Sequence, residues 1–213
     1  VDIGVLEKNS REMNKIFCHL QNSPLPYITL KWAQSKDSFI DPETNASRGR
    51  GSFMISSKES SSIVQNLRSH HNAILVGRKT VEIDNPKLTA REENGVNPIR
   101  LVIDPQCKLE SDYFDIIICN SDFQNNAKAE LCFGLEKGLK HVLIKLRKLG
   151  VYSILVEGGA STLKSFIDNE VWDEAYVFES SEELKKGLKA PQIDLSEFDQ
   201  SAVGSDTLYH LIK

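Results

Sequence analysis

Ile154-Leu155-Val156-Glu157-Gly158-Gly159-Ala160 is an apolar run that stops at a carboxylate and two glycines, and a helical pattern begins directly behind it. It reads as strand, tight turn, helix. Tyr152 to Val156 has the β-branched, apolar composition of a buried parallel strand, and Leu163, Phe166 and Ile167 supply the packing face of the helix that follows. Glycine lets backbone approach a ligand closely. The free N–H groups at a helix start, joined here by Ser161 and Thr162, suit a phosphate. Glu157 then stands at the carboxyl end of a strand, where open α/β sheets hold their ligands. Taken alone, Gly158-Gly159 fits a turn that merely joins two elements equally well.

Working outward, Leu135, Leu139, Val142, Leu143, Leu146 and Leu149 mark an amphipathic helix closed by Gly150. Ala73-Ile74-Leu75-Val76-Gly77 is a second buried strand ended by glycine, with Arg78-Lys79-Thr80 immediately after it. Two strands thus end at glycine beside groups that suit phosphate. Tyr27 to Ser35, Ile99 to Asp104, Asp115 to Cys119 and Trp172 to Phe178 read as further strands, with Ser205 to Ile212 as an antiparallel edge. Ser56 with Glu59 spells a capping box for a helix carrying Ile63, Val64 and Leu67, with Arg68 in its last turns. Val1 to Val5 suits a strand. Leu6, Met13, Ile16, Phe17 and Leu20 share one helical stripe before Asn22-Ser23-Pro24-Leu25-Pro26 breaks it. Ser180 to Gly204 is polar and shows no period. The alternation of strand and helix predicts an α/β fold on a mostly parallel sheet. Lys31 stands out inside the first long strand, either as an edge or snorkelling residue or as a donor to substrate oxygen.

With 213 residues, 40% of them hydrophobic and 26% charged, the chain has the balance of a globular protein with one substantial core. A net charge of −4 argues against holding nucleic acid through the overall field. No apolar run is long enough to cross a bilayer, and Val1-Asp2-Ile3-Gly4 does not open a secretory signal, so no membrane partner and a cytoplasmic location are expected. Cys18, Cys107, Cys119 and Cys132 lack disulfide or zinc-site spacing, and no metal is expected. Adjacent side chains on a helix point about 100° apart, so His70-His71 reads as a solvated helix end.

From about Pro26 to about Glu179 the chain resembles the reductase half of the bifunctional deaminase/reductase of riboflavin biosynthesis, the RibD family. The resemblance rests on Leu30-Lys31-Trp32-Ala33-Gln34-Ser35-Lys36-Asp37, Leu67-Arg68, Asn72-Ala73-Ile74-Leu75-Val76-Gly77, Thr80-Val81, Asp84-Asn85-Pro86-Lys87-Leu88-Thr89-Ala90-Arg91, Pro98-Ile99-Arg100-Leu101-Val102-Ile103-Asp104 and Leu155-Val156-Glu157-Gly158-Gly159, in that order. It implies a dihydrofolate-reductase-like three-layer α/β/α fold, a homodimer, and NADPH-dependent reduction of 5-amino-6-(5-phosphoribosylamino)uracil. It places the cofactor on Ala33, Met54, Thr80, Asp84 and the segment Gly159, Ala160, Ser161, Thr162, Leu163, Lys164 and Ser165. It places the substrate on Ser52, Arg68, Leu88, Arg91 and Glu157. Residues 1–23 resemble the tail behind the family's deaminase domain, whose zinc motifs are absent, so 24–213 is expected to be a reductase domain that does not deaminate. The chain departs from the family at Ser38, at Met54 and at Ser180-Ser181-Glu182-Glu183. Folds of this type also hold a strained glycine pair beside the cofactor, which implies an unusual backbone at Gly158-Gly159, a cis peptide being one form.

The chemistry of the residues agrees with that reaction. Hydride transfer requires a pocket that orients a cofactor, not a nucleophile or metal. Arg68 and Arg91 are fork-shaped donors for a substrate phosphate. Reducing the ribosyl C1′ moves a proton to or from oxygen, which leaves Asp84, Glu157 and Lys31 as acid/base or polarising candidates. Arg78 and Lys79, with no acidic neighbour in sequence, suit the 2′-phosphate that distinguishes NADPH from NADH. Two rival readings stand beside this one. Val76-Gly77-Arg78-Lys79-Thr80 with the glycine pair also resembles dihydrofolate reductase, and the departures fit a nucleotide-binding module without turnover.

Overall fold

The computed structural model describes residues 4–42, 55–90, 96–109, 114–123 and 134–213, so Ser52, Met54 and Arg91 lie outside the described residues. In chain order the elements are α1 (Glu7–Met13), α2 (Lys15–Asn22), β1 (Tyr27–Gln34), β2 (Phe39–Pro42), α3 (Lys58–His70), β3 (Ala73–Gly77), α4 (Arg78–Asp84), β4 (Ile99–Ile103) and β5 (Ile116–Ile118). They continue with α5 (Leu139–Lys148), β6 (Ser153–Val156), α6 (Ala160–Asp168), β7 (Glu174–Glu179), β8 (Gly187–Lys189), β9 (Asp199–Val203) and β10 (Asp206–Ile212).

An eight-stranded sheet runs in the order β5-β4-β3-β6-β1-β7-β10-β9. Its first six strands are mutually parallel, and β10 and β9 add antiparallel pairs at one side. Every residue of β3 and of β6 is buried, as their unbroken apolar runs require. Alternate side chains supply two cores. Ile28, Leu30, Leu75, Ile154 and Val156 meet Val142, Leu143 and Leu146 of α5 and Leu163 and Phe166 of α6 on one face. Ile74, Val76 and Leu155 join Leu67 of α3 on the other. Three layers, α/β/α, result.

Several expected elements shift, each for a local reason. Of the strand expected over Val1 to Val5, residues 1–3 lie outside the described residues, and Gly4 and Val5 enter a turn that leads into α1. The helical stripe behind it is broken into α1 and α2 at Asn14, whose side chain bonds the Ser10 carbonyl, and Met13 and Phe17 of that stripe face solvent. The cap of α3 is Ser57, one residue later than expected. Its hydroxyl accepts from the Ser60 N–H, and Asp206 accepts from the Ser57 N–H. Leu135 belongs to a separate 3-10 turn because Gly138, at φ +97°, interrupts the run before α5. β10 is inside the sheet rather than at its edge, because β9, from the stretch that showed no period, pairs along its outer side.

His71 is the opposite of the solvated end expected of it. It is buried, with Nδ1 on the Leu67 carbonyl at 2.7 Å and Nε2 on the Thr29 hydroxyl at 2.8 Å. Thr29 also reaches Glu174 at 3.2 Å, the fully enclosed first residue of β7. Glu174 further receives Lys15 of α2, His210 of β10 and the Tyr176 hydroxyl, so one carboxylate ties the amino-terminal helices to both ends of the sheet's sequence. Burial alone would raise its pKa, but the hydrogen bonds from His210 and Lys15 outweigh that and lower it from 4.5 to about 2. A carboxylate whose pKa falls on folding stabilises the native state above its unfolded pKa, and that stability is lost as pH falls towards the folded value. Here that amounts to about 3 kcal/mol, disappearing below about pH 4.5. Glu174→Gln should therefore flatten the pH dependence of urea unfolding in that acid window. A slope identical to that of the parent would contradict this role.

Candidate active site

The carboxyl ends of β3, β4 and β6 open into a cleft of about 480 Å³. Gly77, Arg78, Lys79 and Thr80 line it from the β3–α4 junction, Pro105 from the end of β4, and Gly159, Ser161, Thr162 and Ser165 from the β6–α6 turn. The glycine pair has two separate reasons to be glycine. A Cβ on Gly158 would lie 2.6 Å from Val76 Cα and 2.9 Å from the Gly77 nitrogen, so the two glycine-ended strands meet backbone to backbone. Gly159 has φ +59°, a left-handed value that a side chain resists. The unusual backbone expected of this pair is present as that dihedral; its peptide is trans, since the described residues contain no cis bond.

Four hydroxyl-bearing residues, three of them in the nine-residue helix α6, therefore border a concave space beside two cations. This donor set fits the phosphates of a dinucleotide. Not every residue expected there contributes a side chain. Leu163 is in the core and Lys164 turns outward to Asp168, its i+4 neighbour. The expectation that Arg78 has no acidic neighbour is corrected by the fold. Its Nη1 lies 2.9 Å from Glu82 and its Nε 3.5 Å from Asp104. Lys79 is exposed and has no ion pair among the described residues.

A second cluster stands where Glu157 leaves β6. Lys31 is not on an edge strand: β1 lies between β6 and β7, which brings Lys31 beside Glu157 in the interior of the sheet. Arg68 reaches down from α3 and binds both Glu157 oxygens, Nε at 2.7 Å and Nη2 at 2.6 Å. Arg68 was expected as a fork on the substrate phosphate, but that fork is engaged with Glu157, and both side chains are largely buried. Burial pushes the Glu157 carboxyl up, but the Arg68 hydrogen bonds and the charges of Lys31 and Arg68 outweigh this and hold it below its usual range. Burial, with the nearby Arg68 charge, lowers the Lys31 ammonium despite the opposing pull of Glu157. Glu157 is thus a fixed anion, while Lys31 moves towards neutrality.

Asp84 closes α4. It is exposed as a residue, yet its carboxyl borders enough protein, with Asp41 near, that its pKa is raised. Leu88 adopts φ +49° and is buried in the core with Val76 and Leu155, so its side chain is a packing element of the loop that carries the Asp84 to Arg91 block. Ala33 follows Lys31 on the same face of β1. Two residues with no role in the sequence reading emerge here. Asp104 shared with Glu157 the one available signal, a carboxylate ending an apolar strand, and His71 had none.

The RibD C-terminal domain family matches residues 26–180. The chain is 33% identical to the riboflavin biosynthesis protein RibD of Aquifex aeolicus over 219 residues, covering 94% of this chain and 59% of that protein. It is 30% identical to the 2,5-diamino-6-ribosylamino-4(3H)-pyrimidinone 5′-phosphate reductase of Archaeoglobus fulgidus over 178 residues, covering 72% of this chain and 79% of the relative. Among solved structures, a Thermotoga maritima diaminohydroxyphosphoribosylaminopyrimidine deaminase/5-amino-6-(5-phosphoribosylamino)uracil reductase superposes with TM-score 0.80 at 25% identity, covering 98% of this chain and 62% of that one. Enterococcus faecalis dihydrofolate reductase, solved with NADP(H), shares the fold at TM-score 0.54 and 15% identity over 86% of this chain and 94% of its own. The chain thus spans about half to three fifths of the curated RibD proteins it matches. On the strength of a match over most of its length, and of a cleft built from the residues that carry the match, the chain belongs to the RibD C-terminal domain family.

Proposed function

We propose that this chain is an NADPH-dependent reductase of riboflavin biosynthesis that converts 5-amino-6-(5-phosphoribosylamino)uracil to 5-amino-6-(5-phosphoribitylamino)uracil. One observation carries the reading. A single turn holds both the anion of the Lys31–Arg68–Glu157 cluster and, two residues on, the glycine wall of the dinucleotide cleft. Reacting carbon and cofactor would then meet at one strand end.

When bound, NADPH supplies the hydride that adds to C1′ of the ring-opened sugar. Ring opening passes the exocyclic N–H proton to the ring oxygen and leaves a C1′=N imine, and the nitrogen takes up one proton as the hydride adds, so one proton is consumed for each hydride. Lys31 and Asp84 are the groups whose proton affinities move towards neutrality, which suits general acid work. Glu157, held anionic, orients Lys31 and Arg68 and favours the positive charge that develops at the imine. Thr80, Ser161 and Thr162 bind and position phosphates. Arg91 and Ser52 are assigned to the substrate by family resemblance, as is assembly into a homodimer. None of the helices among the described residues is long and apolar enough to cross a membrane, and a cytoplasmic location is proposed with the activity.

Loss of NADPH absorbance tests the reading, with the ribosylaminouracil phosphate, its diaminopyrimidinone counterpart and dihydrofolate offered in parallel. Oxidation with the aminouracil is expected. Oxidation with dihydrofolate alone, or NADPH binding without oxidation by any of the three, would overturn it in favour of one of the two rival readings.

A further inference from the structure

We propose that Arg78 is a divided guanidinium. Asp104 anchors its Nε edge permanently, while Glu82 occupies its Nη1 edge only until a ligand phosphate displaces it, so that Glu82 sets how strongly the cleft prefers a 2′-phosphorylated nucleotide. This rests on the reading that the cleft takes a nicotinamide dinucleotide.

The two carboxylates are unlike. Asp104 is completely buried at the carboxyl end of β4. Its Oδ2 accepts the Leu109 N–H at 2.8 Å, whereas its Oδ1 accepts no hydrogen bond and faces the Arg78 guanidinium at 3.5 Å. Withdrawing Arg78 would leave a buried charged oxygen with no compensation, a costly state, so the Nε edge stays where it is. Glu82 lies one turn along α4 and is nearly half exposed, its side chain 45% accessible. An exposed i,i+4 pair holds weakly, and the 2.9 Å contact is easily exchanged. A phosphate monoester offers more charge and three acceptor oxygens to the same edge. Arg78 lines the cleft beside Lys79, so an anion reaching it meets two cations. Glu82 acts as an internal stand-in for that anion. Asp104 is a positioning residue, since it touches the ligand only through Arg78.

Calorimetric titration with 2′,5′-ADP and with 5′-AMP, neither of which can react, tests this on the intact chain. The parent protein should bind 2′,5′-ADP more tightly than 5′-AMP. Glu82→Gln, at an exposed position that cannot disturb the core, should tighten 2′,5′-ADP by about twofold to fivefold, the weight of one exposed ion pair, and leave 5′-AMP unchanged. Asp104→Asn also removes a negative charge, yet should weaken 2′,5′-ADP, because an unanchored Arg78 presents its free edge less often. Tightening in that variant would reduce Asp104 to bulk charge and overturn its positioning role. A parent preference for 2′,5′-ADP that Glu82→Gln does not change, or an equal gain for both ligands, overturns the inference alone. No preference in the parent overturns the cofactor reading with it.

Discussion

Arg68→Ala is expected to destabilise the protein by about 3–5 kcal/mol, the cost of breaking a buried ion pair from one side. The pair qualifies because Arg68 engages both Glu157 oxygens, at 2.7 and 2.6 Å, and the Arg68 and Glu157 side chains are 14% and 8% accessible. Truncation strands the Glu157 carboxylate under α3 with Lys31 and, to a lesser degree, His71 to offset it. Its pKa would then rise, because burial is the larger influence on it and the Arg68 bonds that oppose burial would be gone. Urea unfolding reads the stability loss directly. Replacing both partners by Met should restore most of the stability, since an apolar pair of similar volume removes the stranded charge, while turnover stays abolished. Full stability in the single variant would mean that the pair is not formed.

Gly158→Ala is expected to destabilise by about 1–3 kcal/mol and to weaken cofactor binding at the same time. The methyl would lie 2.6 Å from Val76 Cα, 2.7 Å from its Cβ and 2.9 Å from the Gly77 nitrogen, and two of these are backbone atoms that cannot swing aside. Relief requires β3 and the β6–α6 turn to separate. That separation shifts Gly77, Gly159 and Thr162, all of which line the cleft. Thermal unfolding and titration with 2′,5′-ADP should therefore report losses together. A stable variant that binds normally would show that the close approach is not what requires glycine there.

The central sheet was legible because its strands are buried on both faces. An apolar run such as Ile74-Leu75-Val76, ended by glycine, leaves little choice of structure. β9 was not legible, for a physical reason. Asp199-Gln200-Ser201-Ala202 is exposed throughout and, among the described residues, pairs only with β10, so it is held by backbone hydrogen bonds that leave no hydrophobic period. The break between α1 and α2 depends on one Asn side chain, and the burial of His71 but not His70 depends on which of two neighbours α3 turns inward. The site divides along the same line. Glu157, Gly158 and Gly159 announce themselves by standing where a strand stops. Arg68 was noticed as a phosphate fork but its contact with Glu157 was not, because that contact spans 89 positions and exists only once α3 lies over β6. Arg78 was likewise read without Asp104, which the parallel pairing of β3 with β4 brings beside it.

On the proposed reading, this cleft and the Lys31–Arg68–Glu157 cluster together deliver a hydride to the sugar C1′ of a phosphoribosylaminopyrimidine. The most direct measurement follows the hydride itself. NADPH carrying deuterium at both nicotinamide C4 positions is incubated with the protein and 5-amino-6-(5-phosphoribosylamino)uracil, and the product is analysed by mass spectrometry and NMR. A ribitylamino product carrying one deuterium, at C1′, is expected whichever face of the cofactor is used. Product without deuterium at that carbon, or substrate recovered intact beside bound NADPH, would contradict it.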